Sequence, residues 1–230
     1  MRASLIARRV STLLSAGRDR GRFRILVRVL LVHGLGRTPA SLLLLAHTLR
    51  RAGHSTSSFS YFAFAEPYDH IRERLVGRLQ SLAAHSDEPV ALIGHSLGGL
   101  LLRHALCDVP SLPVHRLIML GTPNRAPRRA QRVMSWLPFQ VFARSSGALL
   151  ANPQQLATIP GPKVPYTIVA GTGGYRWLSK PFGAEPHDGI VAVSETRIDD
   201  TDEPVLLDVS HTFMMNDRRL QRFVLALLAG

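Results

Sequence analysis

The 230-residue chain is 46% apolar and 19% charged, enough to bury one large core and too apolar for disorder. Its single cysteine, Cys107, excludes an internal disulfide framework and any zinc site built on two or more thiolates, and fits a reducing compartment. The net charge of +12, carried by 26 Arg and 2 Lys, raises a nucleic acid or an anionic surface as partner, and no apolar run approaches the ~18 residues of a membrane span.

Residues 1–24 hold seven Arg, with Leu5, Ile6, Val10, Leu13 and Leu14 on one helical stripe. That spacing predicts a basic amphipathic helix, packed on the domain flank, lying on a membrane surface or serving as a transit peptide. As a secretory signal it fails, because Arg8 and Arg9 interrupt the apolar stretch. Over 25–230 short apolar runs alternate with amphipathic helices, the pattern of parallel βα units. Strands are expected at 25–32, 57–62, 90–93, 116–120, 166–170 and 205–209. Helices are expected at 41–51, 67–84, 96–106 and 218–228; Thr38 and Pro39 supply a cap and an N1 proline for the first. The apolar strand at 25–32 implies a sheet covered on both faces, an α/β fold. Residues 125–152 break the rhythm with a basic start, then Val133, Met134, Trp136, Leu137, Phe139 and Phe142, and read as a small cap.

Charge is segregated along the chain. Residues 1–65 hold 11 basic and 1 acidic residue, 109–184 hold 9 basic and none acidic, and 185–208 hold 8 acidic and 1 basic. If the two basic segments share a face they bias the protein towards an anionic interface or an anionic ester; otherwise arginine is simply the cation this chain uses.

The chemistry concentrates at Gly94-His95-Ser96-Leu97-Gly98, a Gly-x-Ser-x-Gly run between an apolar strand and a helix. A chain that turns this sharply forces Ser96 into a strained conformation, needs glycine on either side, and exposes the hydroxyl at a helix N-terminus. After the first strand, His33-Gly34-Leu35-Gly36 can aim the Leu35 N–H at the serine, where it and the Leu97 N–H would hold an oxyanion. A dinucleotide loop there lacks its third glycine, since Pro39 stands at that position. No Gly-Lys pair offers a phosphate loop.

A serine needs a base, and the base a carboxylate. Of ten histidines, His33 and His95 belong to the two motifs and point away from base duty, while His211 follows the last strand, with His187 as its rival. Asp188 follows the fifth strand and gives the order Ser, acid, His; Glu185, Asp199, Asp200, Asp202 and Glu203 are alternatives in what reads as a solvated acidic loop. Asp208, three residues before His211, faces the wrong way.

These segments, with Leu-Gly-Thr-Pro-Asn at 120–124, His-Asp-Gly-Ile-Val at 187–191 and Ser-His-Thr-Phe-Met-Met at 210–215, resemble the α/β-hydrolases, and more narrowly the compact bacterial lipases and esterases. The resemblance spans about residues 25–228. It implies a serine ester hydrolase with Ser96, Asp188 and His211 as triad, Leu35 and Leu97 as oxyanion donors, and no metal or organic cofactor. Trp136, Phe139 and Phe142 would shape the acyl pocket or form the core of the cap. A thioesterase or acyltransferase with the same triad is the alternative, then a noncatalytic lipid- or anion-binding relative. Expected partners are a small-molecule or lipid ester and an anionic membrane surface, not nucleic acid; the expected compartment is the cytoplasm, with or without peripheral membrane contact.

Overall fold

The computed structural model describes residues 26–85, 88–129, 146–175, 177 and 179–229. The helix expected at 1–24, and Trp136, Phe139 and Phe142 with most of the expected cap, lie outside the described residues.

Runs such as Val29-Leu30-Leu31-Val32 cannot be solvated on either side, so the strands they form must be covered on both faces. Six strands form the sheet, buried at its centre and more exposed at its edges: β1 (Arg28–Val32), β2 (Ser55–Phe59), β3 (Val90–His95), β4 (Val114–Leu120), β5 (Tyr166–Gly171) and β6 (Val205–Leu207). They pair in the order β2-β1-β3-β4-β5-β6, every neighbour parallel. Alternate residues separate two cores. Leu30, Val32, Leu92 and Leu117 pack with Ile71, Leu75 and Leu79 of α2 (Tyr68–Ala84) and Leu100 of α3 (Leu97–Ala105). Val29, Leu31, Ile93 and Ile118 pack on the opposite face with Leu45 and Leu49 of α1 (Leu43–Arg51) and with Leu220 and Phe223 of the C-terminal α6 (Arg218–Leu228). Two short helices, α4 (Pro153–Thr158) and α5 (Val193–Thr196), complete the described elements used below.

Several boundaries differ from the sequence reading. β1 begins at Arg28, with Leu26 exposed ahead of it. β2 covers Ser55–Phe59 rather than 57–62, because Tyr61 leaves the strand to stack on His33 at 4.2 Å. β6 stops at Leu207: the Val209 N–H folds back onto the Leu207 carbonyl at 2.8 Å, and the Val209 carbonyl accepts from Gly173.

This topology fixes where a site can form. From β1 the chain steps to β2 on one side and returns to β3 on the other, so the crossovers diverge beyond the carboxyl ends of β1 and β3 and leave a crevice there. The Leu35 loop and Ser96 leave from those two strand ends.

Candidate active site

Ser96 sits between β3 and α3 with φ 52° and ψ −123°, the one non-glycine residue with positive φ among those described. That conformation is costly for an L side chain and persists only where its surroundings enforce it. The enforcement is visible on both sides of the turn. A Cβ on Gly98 would lie 2.3 Å from the Val32 carbonyl oxygen, and one on Gly94 2.4 Å from the backbone of Gly99. The Ser96 main chain is pinned by N–H donation to the Leu120 carbonyl at 2.8 Å, while its side chain makes no capping bond to α3 and stays free for other work.

His211 lies past the end of β6, in a 3-10 turn over His211–Asn216, and is held twice by Asp188. Its Nδ1–H donates to the Asp188 Oδ2 at 2.7 Å and its main-chain N–H to the Asp188 carbonyl at 2.9 Å. The other carboxylate oxygen accepts from the Ile190 and Val191 N–H groups at 2.9 and 2.8 Å. Asp188 is buried, and both of its carboxylate oxygens accept hydrogen bonds, three in all, which suits a group that orients a ring. With Nδ1 committed, Nε2 is the nitrogen left for a substrate or nucleophile. No hydrogen bond joins Ser96 Oγ to His211 among the described residues, but both line one cavity of about 310 Å³, and such bonds commonly tighten only with substrate bound.

Leu35 lines that cavity, and Leu97 is buried as the first residue of α3. Among the described residues neither main-chain N–H has an acceptor in a turn or loop bond. Two unpaired donors flanking a serine at a helix N-terminus are suited to a developing oxyanion.

The competing residues separate on geometry. The His187 Nδ1 accepts from the Gly189 N–H at 3.0 Å, so the ring proton is on Nε2, which donates to Ser179 Oγ at 2.9 Å. Stacked on Phe182 at 4.4 Å, that ring has no free basic nitrogen. His33 donates from Nδ1 to the Gly34 carbonyl and accepts the Tyr61 N–H on Nε2; burial holds it below the ordinary histidine pKa, outweighing the bond to Gly34. His95 is pushed well below the ordinary value, first by burial and then by the nearby His211, so it is neutral and donates from Nε2 to the His211 carbonyl at 3.1 Å. Of the alternative acids, Glu185 and Asp200 pair with Arg128 and Arg125, and Asp202 accepts the Tyr166 hydroxyl at 2.7 Å.

Sequence reasoning missed Glu195. It is buried, and its carboxylate accepts from the Ala192 N–H, the Arg128 N–H and the Arg128 Nε–H at 2.8, 2.9 and 2.7 Å, tying the start of the expected cap to the loop after Asp188. Arg37 and Arg129, also unremarked in the sequence, line the cavity with Ser96. Among the described residues no cluster of three or more His, Cys, Asp or Glu could hold a metal ion, and no helix is long and apolar enough to cross a membrane.

A sequence profile described as the alpha/beta hydrolase family matches residues 29–229. Among solved structures, the mature lipase BlEst2 of Bacillus licheniformis superposes with a TM-score of 0.67 at 17% identity over 85% of this chain and 89% of its own. A metagenomic carboxyl esterase gives 0.66 at 14% identity over 90% and 76%. Phospholipase PlaB of Legionella pneumophila gives 0.61 at 19% identity over 76% of this chain and 46% of its own. No curated protein matches.

Proposed function

The chain belongs to the alpha/beta hydrolase family, and on that premise we propose that it is a serine carboxylic ester hydrolase of the esterase or lipase kind. The observation that carries this reading is a strained, uncapped Ser96 opening on the same cavity as a histidine whose Nδ1 is fixed by a buried carboxylate. Ser96 Oγ attacks the ester carbonyl while His211 Nε2 takes its proton. The Leu35 and Leu97 N–H groups receive the negative charge on the carbonyl oxygen, one such donor contributing about 3 kcal/mol to the transition state. His211 then protonates the departing alcohol, leaving an acyl group on Ser96, and water repeats the sequence to release the acid. Asp188 remains ionised throughout and stabilises the imidazolium.

The cavity wall favours acyl binding, since Leu35, Pro123, Leu150, Ile190 and Val191 contribute apolar surface. Lipases and esterases among the similar folds agree with this reading. A thioesterase or acyltransferase would share the acyl-enzyme and differ in the leaving group or acceptor. The test is a p-nitrophenyl ester series of rising acyl length, with native protein and Ser96→Ala. The expected result is a loss on the order of 10⁴-fold or more in kcat; equal rates in the two proteins would reject the proposal.

A further inference from the structure

We propose that the ester this cavity takes carries an anionic group, a carboxylate or a phosphate, bound by Arg37 and Arg129; this rests on the hydrolase reading above. The argument starts from how the segregated charges meet in space. In the acid-free stretch 109–184, Arg125 pairs with Asp200 at 2.7 Å and Arg128 is gripped by Glu185 and Glu195. Arg129, next in the chain, pairs with no carboxylate among the described residues. One guanidinium N–H donates to the Gly189 carbonyl at 3.1 Å, next to the cavity-lining Ile190, and the other four donors have no partner among the described residues.

Arg37 approaches from the opposite motif. Its main-chain N–H closes the Leu35 turn onto the Gly34 carbonyl at 3.2 Å, and its guanidinium has no hydrogen-bond or ion-pair partner among the described residues. Both arginines are half-buried and line the cavity with Ser96 and His211. Of the described residues lining it, none is acidic, and the neighbouring Asp188 carboxylate is consumed by His211, Ile190 and Val191. Two cations beside apolar walls, with no counterion among the described residues, leave a positive potential that a substrate anion would neutralise. Their place in a cavity of about 310 Å³ makes that anion part of a small substrate rather than a surface. Arginine's planar fork suits carboxylate and phosphate alike.

The experiment uses two readouts. Calorimetry on the full-length Ser96→Ala protein compares N-(4-nitrophenyl)pentanamide with its glutaramic acid and phosphonobutanamide counterparts, uncleaved analogues of matched length. An anionic analogue is expected to bind about tenfold tighter than the neutral one, the scale of a charge-assisted bond at a half-exposed site. The preference should shrink in 0.5 M salt and fall towards unity in Arg37→Gln and Arg129→Gln. Whether the carboxylate or the phosphonate gains more identifies the anion. Equal affinity for neutral and anionic analogues, or a preference unchanged in both variants, would overturn the proposal. Turnover of p-nitrophenyl pentanoate by the native protein, measured alongside, tests hydrolysis separately: its absence would sink the hydrolase reading while the binding ratio still judged the anion site.

Discussion

His211 is bound to Asp188 through both main chain and side chain, N–H to carbonyl at 2.9 Å and Nδ1 to Oδ2 at 2.7 Å. The main-chain bond sets where the ring stands and the side-chain bond sets which nitrogen carries the proton, so the two functions can be separated by mutation. Asp188→Asn keeps the backbone bond while turning an acceptor into a mixed amide. Its expected kcat on p-nitrophenyl esters is lower by roughly 10⁴-fold, as for wrong-tautomer variants of serine-protease triads. The far-ultraviolet circular dichroism should not change; a kcat within tenfold of native would show that Asp188 does not orient the base.

Gly98→Ala tests the turn that strains Ser96. The added methyl would meet the Val32 and His33 carbonyl oxygens at 2.3 and 2.4 Å, backbone atoms that cannot swing aside. The expected cost is about 3 kcal/mol, at the upper end for overpacking, read as a lower urea midpoint with activity lost. Native stability in this variant would mean that the elbow is looser than its geometry implies.

His95 predicts an acid-sensitive fold. Burial, with His211 and Arg37 nearby, depresses its pKa below the ordinary 6.5, so the unfolded chain binds a proton that the folded chain refuses. Its contribution is complete above 6.5 and is lost progressively as the pH falls below that value towards the folded one. His33 and His104, also depressed chiefly by burial, act in the same direction. Urea unfolding between pH 7.5 and 5 should show stability falling with pH, with a shallower slope in His95→Gln. An identical slope in that variant would remove His95 as a source.

Glu195→Gln removes the charge that accepts three N–H groups, two of them from Arg128. Because the Arg128 side chain is 38% exposed, solvent screens the pair and the expected cost is about 1–2 kcal/mol rather than that of a fully buried one. Differential scanning calorimetry should show a fall of a few degrees, and an unchanged Tm would mean that the Arg128 contacts are replaceable.

Much of the candidate site was legible because its signals are local. Ser96 announces itself through glycines two residues away on either side, between an apolar strand and a helix, and the Leu35 loop likewise follows directly from β1. What was illegible depends on partners distant in sequence. The acids of 185–203 read as a solvated cluster, yet Glu195 meets Arg128 across 67 residues and Asp202 meets Tyr166 across 36. β2 misled for a different reason: as an edge strand paired only with β1 it tolerates the polar Ser55-Thr56-Ser57-Ser58, whereas Tyr61, inside the expected 57–62, leaves the strand and donates its hydroxyl to the His33 carbonyl.

The ladder between β5 and β6 consists of three register pairs, half as many as join β3 to β4. Ser96 thus stands on the firm centre of the sheet, while the loop bearing His211 leaves its thinnest edge. Opening energies follow such differences in pairing, and a margin can detach while the interior stays intact. On warming, catalytic competence should vanish several degrees before the helical signal collapses and return on cooling, so the temperature at which this protein stops working is set by its border rather than its core.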